Sequence, residues 1–273
     1  MYKDSHVHTV VSHDGKSTMR EYMENAKKMN VDEITFTEHY DIYDGIKTSL
    51  HTLDVTDYYK QYMKNKDDDL VKTNFGIEIG LQPYENIFRP ISDMVKHYDF
   101  DFIIGSSHIT EKKDMAMDPS FFEGLTRKQA YLKYFKEVLQ NIKKYNNEFD
   151  VYGHLDYVVR YGGYDEKSIE YKEFREILDE ILFNLVRKDK GLEINTSGIR
   201  YGLLNPHPNI EILKRFKELG GHIVTIGSDA HNYHDLASNF DLALEMLENA
   251  GFDEIAVFNR RIPEFVKTKS LMK

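Results

Sequence analysis

The sequence predicts an α/β fold in which seven parallel β-strands alternate with helices and form a barrel. Three observations lead to this prediction. Strand-like and helix-like hydrophobic patterns alternate seven times, which is typical of parallel strands joined by crossover helices. Histidine and acidic side chains recur where these strands end. The length of 273 residues suits an α/β barrel that forms a single domain over residues 1–273.

The first strand and the first helix are defined by short local patterns. An apolar run near the N-terminus ends on His6 and His8, which predicts a strand. Thr18 and Glu21 have the spacing of a capping box, in which each side chain accepts a hydrogen bond from the backbone N–H of the other residue. Apolar residues follow at helical spacing, so we predict a helix that ends near Asn30.

The other six strands are short runs rich in apolar, β-branched and aromatic residues. They are predicted at residues 32–39, 73–80, 101–108, 149–154, 191–195 and 222–231. Helical periodicity predicts helices at residues 56–71, 83–97, 126–145, 170–188 and 209–219, and a last helix that ends near residue 250. We expect Pro90 to interrupt the helix at 83–97, since proline breaks the hydrogen-bond ladder. Residues 40–53 and 109–125 are expected to form loops.

The composition limits the classes of function. The 36 basic and 46 acidic residues give a net charge of −10, which argues against extended binding to nucleic-acid phosphates. Cysteine is absent, so any metal must be bound by nitrogen and oxygen ligands. The sequence contains no apolar run long enough for a signal peptide or a membrane span. We therefore expect a soluble cytoplasmic protein that binds neither nucleic acid nor membranes.

The candidate functional residues lie at the ends of the strands. His6 and His8 are two residues apart, so a strand would point both imidazoles to one face, which is a metal-ligand spacing. Further candidates lie in or just beyond the C-terminal halves of five other strands, at His39, Glu78, His108, His154, Asp229 and His231. In a barrel of parallel strands these ends converge on one face. The pattern therefore predicts one site built from six strands.

Each of these residues also has a plain structural interpretation. Any one histidine can be a hydrogen-bonded core residue, and Glu78 can pair with a lysine. Together, however, so many polar groups at the mouth of an apolar barrel are costly unless a cation compensates them. Five other histidines lack the strand-end position and are expected to be structural or surface residues, namely His51, His97, His207, His222 and His234.

Six short motifs occur along the chain in a definite order. They are His6-x-His8, Thr37-Glu38-His39, Gly76-Ile-Glu78, Ser107-His108, Gly153-His154 and Ser228-Asp229-Ala-His231. In this order the chain resembles the polymerase and histidinol phosphatase (PHP) superfamily over almost its whole length. The resemblance implies a distorted seven-stranded (β/α)7 TIM-like barrel with a metal site at the C-terminal ends of the strands.

Within the superfamily, the chain most resembles the monofunctional histidinol-phosphatase branch. The segments that carry this resemblance are Asp4-Ser-His-Val-His-Thr, Tyr152-Gly-His154-Leu-Asp-Tyr-Val-Val-Arg160-Tyr, Glu193-Ile-Asn195-Thr-Ser-Gly-Ile-Arg200 and Asn259-Arg-Arg. The implied activity is the hydrolysis of L-histidinol phosphate to L-histidinol and phosphate in histidine biosynthesis, by attack of a metal-bridging hydroxide on phosphorus. One alternative is a superfamily member that acts on another small phosphate ester, a nucleotide or phosphotyrosine. A non-catalytic metal-binding module is less compatible with the intact ligand set.

The resemblance also implies three divalent metal ions. The first would be held by His6, His8, Glu78 and Asp229, the second by Glu78, His108 and His154, and the third by Asp14, His39 and His231. At the position of Asp14 the preceding His13 is an alternative ligand. We favour Asp14, because it lies at the family's spacing from His8 and a carboxylate also serves such cations. Zinc, manganese and iron all suit histidine and carboxylate ligands, so the native metal is left open.

Several further residues are candidates for substrate binding and proton transfer. Arg160 and Arg200 follow strands of the site and are predicted to bind phosphate, although they can also be surface arginines. Asn195 is expected to orient either the substrate or Arg200. Asp229 and His231 are candidates for proton transfer beside the bridging Glu78, or are ligands only.

Two other features of the chain leave alternatives open. Residues 115–122, rich in methionine and phenylalanine, form either a lid or an apolar loop packed on the barrel. No sustained apolar stripe predicts a partner surface, so we expect a monomer or a weak homodimer.

Overall fold

Seven parallel strands form one sheet in the computed structural model, which describes residues 1–46, 48–66 and 70–271. In chain order they are β1 (Tyr2–Val7), β2 (Val31–Tyr40), β3 (Lys72–Gly80), β4 (Phe102–Ser106), β5 (Val151–Tyr152), β6 (Gly191–Asn195) and β7 (Val224–Gly227). Each strand pairs in parallel with the next one along the chain. The C-terminal ends of all seven strands therefore lie together at one end of the sheet.

The sheet closes into a nearly complete barrel through a short contact between its first and last strands. Val7 forms a parallel bridge with Ala230, just beyond β7. The His8 N–H donates to the carbonyl of Ala230 at 2.9 Å, and the Asp229 N–H donates to the carbonyl of His6 at 2.8 Å. The predicted seven-stranded barrel is thus confirmed. This contact, here called the seam, includes His6, His8 and Asp229, which are themselves candidate metal ligands.

The connections between the strands are largely helical. The helices are α1 (Met19–Ala26), α2 (Val55–Asn65), α3 (Glu85–His97), α4 (Arg127–Lys144), α5 (Arg175–Arg187), α6 (Ser197–Arg200), α7 (Ile210–Glu218), α8 (Phe240–Asn249) and α9 (Thr268–Leu271). Thr18 and Thr126 form the capping boxes at the starts of α1 and α4. None of the helices in the described ranges is long and apolar enough to cross a membrane.

Some boundaries differ from the sequence prediction. Pro90 does not interrupt α3, because it lies on the exposed side of the helix, where water can hydrogen-bond the carbonyl that proline leaves free. The strands β5 and β7 are shorter than predicted, since the chain turns into the site after each of them. The helix predicted at residues 170–188 begins at Arg175, and α2 ends at Asn65. Residues 67–69 of the predicted helix 56–71 lie outside the described residues.

A C-terminal hairpin closes the barrel at the end opposite the site, and the sequence did not predict it. Its antiparallel strands are Glu254–Asn259 and Ile262–Lys267. The hairpin buries Ala256 and Phe258 in a cluster with Phe102 and Ile104. Along β4 these two residues alternate with outward-facing ones and lie on the same face as Ser106, which reaches the candidate site. The cluster therefore fills the barrel interior beneath the site.

Candidate metal centre

The predicted ligands meet inside the barrel at the C-terminal ends of the strands. His6 and His8 project from the end of β1, and His39 of β2 is in register with Glu78 of β3. The side chains of His6, His8 and Glu78 are fully buried. His108, His154 and Asp229 are also buried, whereas His39 and His231 are partly exposed at the rim.

Glu78 lies at the centre of the cluster and shares its two oxygens between different histidines. Its Oε1 lies 2.9 Å from Nε2 of His154 and 3.3 Å from Nε2 of His108. Its Oε2 lies 3.3 Å from Nε2 of His6 and 3.4 Å from Nε2 of His8. This arrangement is the one expected of a carboxylate that bridges two cations.

Asp229 joins His6 and His8 on the other side. Its Oδ1 lies 3.4 Å from Nε2 of His8 and 3.7 Å from Nε2 of His6. The three residues have ligand atoms close enough together to hold one ion. This group corresponds to the first predicted ion, and Glu78 completes it.

A third group forms at the rim and distinguishes Asp14 from His13. Oδ2 of Asp14 lies 3.1 Å from Nε2 of His231 and 3.6 Å from Nε2 of His39. The Nε2 atom of His13 lies 3.9 Å from Oδ2 of Asp14, farther from this oxygen than either of the other two imidazoles. The geometry therefore favours Asp14 as the partner of His39 and His231.

The residues present fit divalent cations on two grounds. First, Glu78 Oε2 and His39 Nδ1 are buried and make no hydrogen bond within the described structure, although they lie 2.8 Å apart. Second, imidazole nitrogens face one another, at 3.0 Å between Nε2 of His6 and His8 and at 3.4 Å between Nε2 of His108 and His154. Facing lone pairs repel unless a proton or a metal lies between them. Imidazole and carboxylate ligands suit zinc, manganese and iron.

The packing of these groups shifts their pKa values in opposite directions. Burial lowers the pKa of His6, but the surrounding carboxylates, Glu193 first, outweigh it and hold the pKa well above its usual value. Burial and the neighbouring His39 hold the pKa of His8 well below its usual value. Burial raises the pKa of Glu78, yet the histidines around it, His6 first, hold it well below its usual value. An ionised carboxylate beside a neutral imidazole offers the lone pairs that a cation needs.

Comparison with known proteins assigns this architecture to a family. Residues 4–197, which include most of the candidate ligands, match the PHP domain. The chain belongs to the PHP domain family. This result confirms the resemblance inferred from the order of the motifs.

The similar PHP proteins include histidinol-phosphatases. A histidinol-phosphatase of Lactococcus lactis is 33 % identical over 94 % of this chain and 94 % of its own length. A protein of Clostridium acetobutylicum named probable histidinol-phosphatase is 32 % identical over 97 % of this chain and 100 % of its own. The crystal structure of the Lactococcus lactis histidinol phosphate phosphatase, complexed with Zn, L-histidinol and phosphate, superposes with a TM-score of 0.85 at 30 % identity. It covers 96 % of this chain and 98 % of the solved chain.

Buried carboxylates behind the candidate ligands were not singled out from the sequence. Glu193 of β6 lies with Oε1 2.5 Å from Nδ1 of His6, and its Oε2 accepts from the His154 N–H at 2.8 Å. Asp41 lies with Oδ1 3.1 Å from Nδ1 of His108. Burial lowers the pKa of His108, but Asp41 first and then the central glutamate raise it to about 10. One signal in the sequence could have indicated such a carboxylate, namely an acidic residue inside an apolar strand, as in β6.

Glu38, the residue before the candidate ligand His39, holds the loop that follows β1. It is fully buried and accepts hydrogen bonds from both the backbone N–H and the hydroxyl of Thr9 and of Ser12. The Ser12 hydroxyl oxygen in turn accepts from the His39 N–H at 3.0 Å. This network fixes the approach of the chain to Asp14.

The two predicted phosphate-binding arginines differ in their surroundings. Arg160 lies beside the candidate metal ligands, with Nη2 3.4 Å from Oδ2 of Asp229. Arg200 instead donates through Nη2 to the carbonyls of Ser228 and Asp229, and through Nη1 to the hydroxyl of Ser238. The geometry therefore does not favour the predicted phosphate role of Arg200. Its contacts support the backbone at Asp229, which has the positive φ of 52°.

The side chain of Asn195 also contacts protein groups, and it does not face an open space near the candidate metal ligands. Its side-chain amide nitrogen donates to Glu193 at 3.1 Å and to Asp229 at 3.4 Å. Its oxygen accepts from the Ser197 N–H at 3.0 Å. None of these hydrogen bonds involves Arg200, and none points to open space. It therefore orients Asp229 and Ser197.

The segment of residues 115–122 packs on the PHP barrel. Met115, Phe121 and Phe122 are buried, and Met117 is exposed. Pro119–Phe122 form a 3-10 helix whose first turn is capped by Asp118. This packing is that of the apolar loop, which was one of the two alternatives left open by the sequence.

Proposed function

We propose that the protein is a metal-dependent phosphomonoesterase that hydrolyses L-histidinol phosphate to L-histidinol and phosphate, a step of histidine biosynthesis. The observation that carries the proposal is the Glu78 carboxylate, whose two oxygens face histidines from four different strands or strand ends. The full-length similarity to histidinol-phosphatases supports the substrate. Since both ends of the chain contribute to this site, we also propose that residues 1–273 act as one domain.

Three divalent ions, zinc, manganese or iron, would occupy the centre. The ligands would be His6, His8, Glu78 and Asp229 for one ion, Glu78, His108 and His154 for another, and Asp14, His39 and His231 for the third. When bound, such ions lower the pKa of water and neutralise negative charge on phosphoryl oxygens.

The protein's own groups would bind the phosphate and supply a proton. Arg160 offers guanidinium N–H donors at the edge of the ligand cluster, and a planar guanidinium matches phosphate oxygens. The departing alkoxide requires a proton. Burial raises the pKa of Asp229, but His6 first and other cations hold it well below its usual value, so this carboxylate stays ionised and suits metal binding. His231 lies at the partly exposed rim and would transfer a proton only in a centre in which its Nε2 does not bind the third ion; otherwise it is a ligand only.

Phosphate release from L-histidinol phosphate, measured beside a panel of other phosphomonoesters, tests the proposal. The metal content is determined on the same sample. We expect kcat/KM for L-histidinol phosphate to exceed the others by about 300-fold or more, equivalent to about 3.4 kcal/mol. The variant Glu78→Gln should lose both metal and activity. Glu148→Gln changes another buried glutamate, bound to Ser92, and serves as the matched control. Uniform, slow turnover across the panel would overturn the substrate assignment and leave the hydrolytic site in place.

A further inference from the structure

A buried histidine lies directly against Arg160, and a buried aspartate lies behind that histidine. His207 is fully buried, and its Nδ1 lies 2.5 Å from Oδ1 of Asp156. Its Nε2 accepts a hydrogen bond from Nε of Arg160 at 3.0 Å. The backbone of His207 is fixed as well, through two hydrogen bonds of 2.8 Å with Asn195 at the end of β6. The three side chains thus form a continuous chain from Asp156 to Arg160.

The two contacts of His207 are chemically consistent with one tautomer. Because the Asp156 carboxylate can only accept while ionised, the proton of the neutral imidazole lies on Nδ1. Nε2 then carries the lone pair that the Arg160 Nε–H requires. If the tautomer were exchanged, the Nε2–H of His207 would face the Nε–H of Arg160. If the ring were turned over, carbon atoms would replace both nitrogens, and both hydrogen bonds would be lost.

The remaining contacts of Arg160 leave one end of the guanidinium available. Nη2 lies 2.5 Å from the hydroxyl oxygen of Ser197. The rings of Tyr157 and Tyr201 lie 4.8 Å and 4.4 Å from the Cζ atom, a cation–π distance. Within the described residues, Nη1 has no hydrogen-bond partner. The side chain is only 4 % exposed, so its orientation is set by these contacts.

We propose that Asp156 and His207 are positioning residues that hold the Arg160 guanidinium in the orientation that binds a phosphoryl oxygen, an inference that rests on the proposed function. A long arginine side chain has many rotamers, and it binds a phosphate group best when its plane is fixed beforehand. Its competing partner is Asp229, 3.4 Å from Nη2. Without His207, the guanidinium is free to turn toward this carboxylate and away from the substrate.

A double-mutant cycle between His207 and Arg160 tests this role. His207→Phe keeps a ring in place and removes both nitrogens, and Arg160→Met removes the guanidinium. Three quantities are measured on metal-loaded protein, namely kcat/KM for L-histidinol phosphate, the affinity for inorganic phosphate by calorimetry, and the urea midpoint. We expect His207→Phe to lower kcat/KM and phosphate affinity by 10- to 100-fold in the wild-type background, an effect typical of a lost supporting partner. In the Arg160→Met background it should change them by less than about threefold, because nothing remains to be positioned.

Stability separates positioning from a structural role. The loss of urea midpoint caused by His207→Phe should be similar in both backgrounds, while the functional loss should not. His207→Gln, which can donate to Asp156 and accept from Nε, should recover part of the phosphate affinity. Asp156→Asn keeps the side-chain volume and provides the same cycle if His207→Phe fails to fold.

The outcomes distinguish this inference from the proposed function. Equal functional losses in both backgrounds would overturn the positioning role while the phosphate role of Arg160 stands. If Arg160→Met alone leaves phosphate affinity and kcat/KM unchanged, the proposed phosphate role fails, and the positioning role is overturned with it.

Discussion

The Nδ1 atom of His6 lies 2.5 Å from Oε1 of Glu193, and both side chains are buried inside the barrel. A carboxylate behind a ligating imidazole fixes the ring and raises its basicity toward the metal. Glu193→Gln keeps the shape but removes the charge, so we expect metal affinity to fall by about 10- to 100-fold. Competition with a chelator for zinc measures this change. The control is Glu148→Gln, away from the site, and equal affinities for the two variants would contradict the role of Glu193.

We predict that the binding of a third ion depends on Asp14 rather than on its neighbour His13. Asp14 lies within 3.6 Å of two other candidate ligands, whereas Nε2 of His13 lies 3.9 Å from Asp14 and its ring centroid lies 5.7 Å from that of His39. We expect Asp14→Ala to lower the bound metal by about one ion per chain and to reduce kcat by at least tenfold. His13→Ala should retain the metal content of the parent. Elemental analysis measures the metal content of both variants. Loss of an ion in His13→Ala but not in Asp14→Ala would make His13 the ligand.

Glu137 of α4 should make stability depend on pH. Its Oε2 accepts from the Glu111 N–H at 2.9 Å, its Oε1 is buried and has no hydrogen-bond partner among the described residues, and burial raises its pKa to about 7. Between about pH 4.5 and 7 the folded state therefore holds a proton that the unfolded state has released. The free energy of unfolding falls as pH rises through this window, by at most about 1.4 kcal/mol per pH unit, and this contribution is constant above it.

Glu137→Gln removes this titration. We expect the variant to match the parent at pH 5 and to be more stable by about 2 kcal/mol at pH 8, since an amide carries no charge to desolvate. Urea unfolding at the two pH values, with the same metal content, measures the difference. A stability difference that is the same at both values would show that Glu137 does not titrate as described.

The C-terminal hairpin is anchored by a pair formed by Arg261 and Asp150. Nε of Arg261 donates to Oδ1 of Asp150 at 2.9 Å, and the aspartate is 6 % exposed. Arg261→Ala leaves this carboxylate buried without its cation, so we expect a loss of about 2 to 3 kcal/mol in the free energy of unfolding. Arg260→Ala is the matched control, because both arginines have positive φ in the same turn, at 49° and 63°. Urea unfolding of both variants is the measurement, and equal losses would assign the effect to the turn backbone.

The sequence predicted the barrel and the ligand cluster because both follow from local patterns. Alternating β and α periods define the order of parallel strands, and strand ends must then meet. The buried carboxylates behind the candidate ligands were not predicted. Glu193 and His6, for example, are 187 positions apart, and only closure of the barrel brings them together. His207 was expected to be structural or at the surface, because it follows no strand end. It is buried, and it reaches Arg160 only because its segment returns to pair with Asn195.

The hairpin escaped prediction for a different reason. Its turn at Arg260 and Arg261 uses positive φ at two residues that have neither the freedom of glycine nor the preference of asparagine for this region. No composition signal therefore marks the turn. The phosphate role of Arg200 stays a prediction, and its place after β6 could not reveal that Nη2 donates to two backbone carbonyls.

The seam of the barrel has a consequence for how the protein is made. His6 and His8 leave the ribosome more than 200 residues before Asp229 and His231, which lie on the other side of the seam. Until β7 has been synthesised and has docked against β1, these two histidines have Glu78 but lack Asp229. Completion of the candidate ligand set is therefore a late event in biogenesis, and it requires that β1 and β7 have paired correctly.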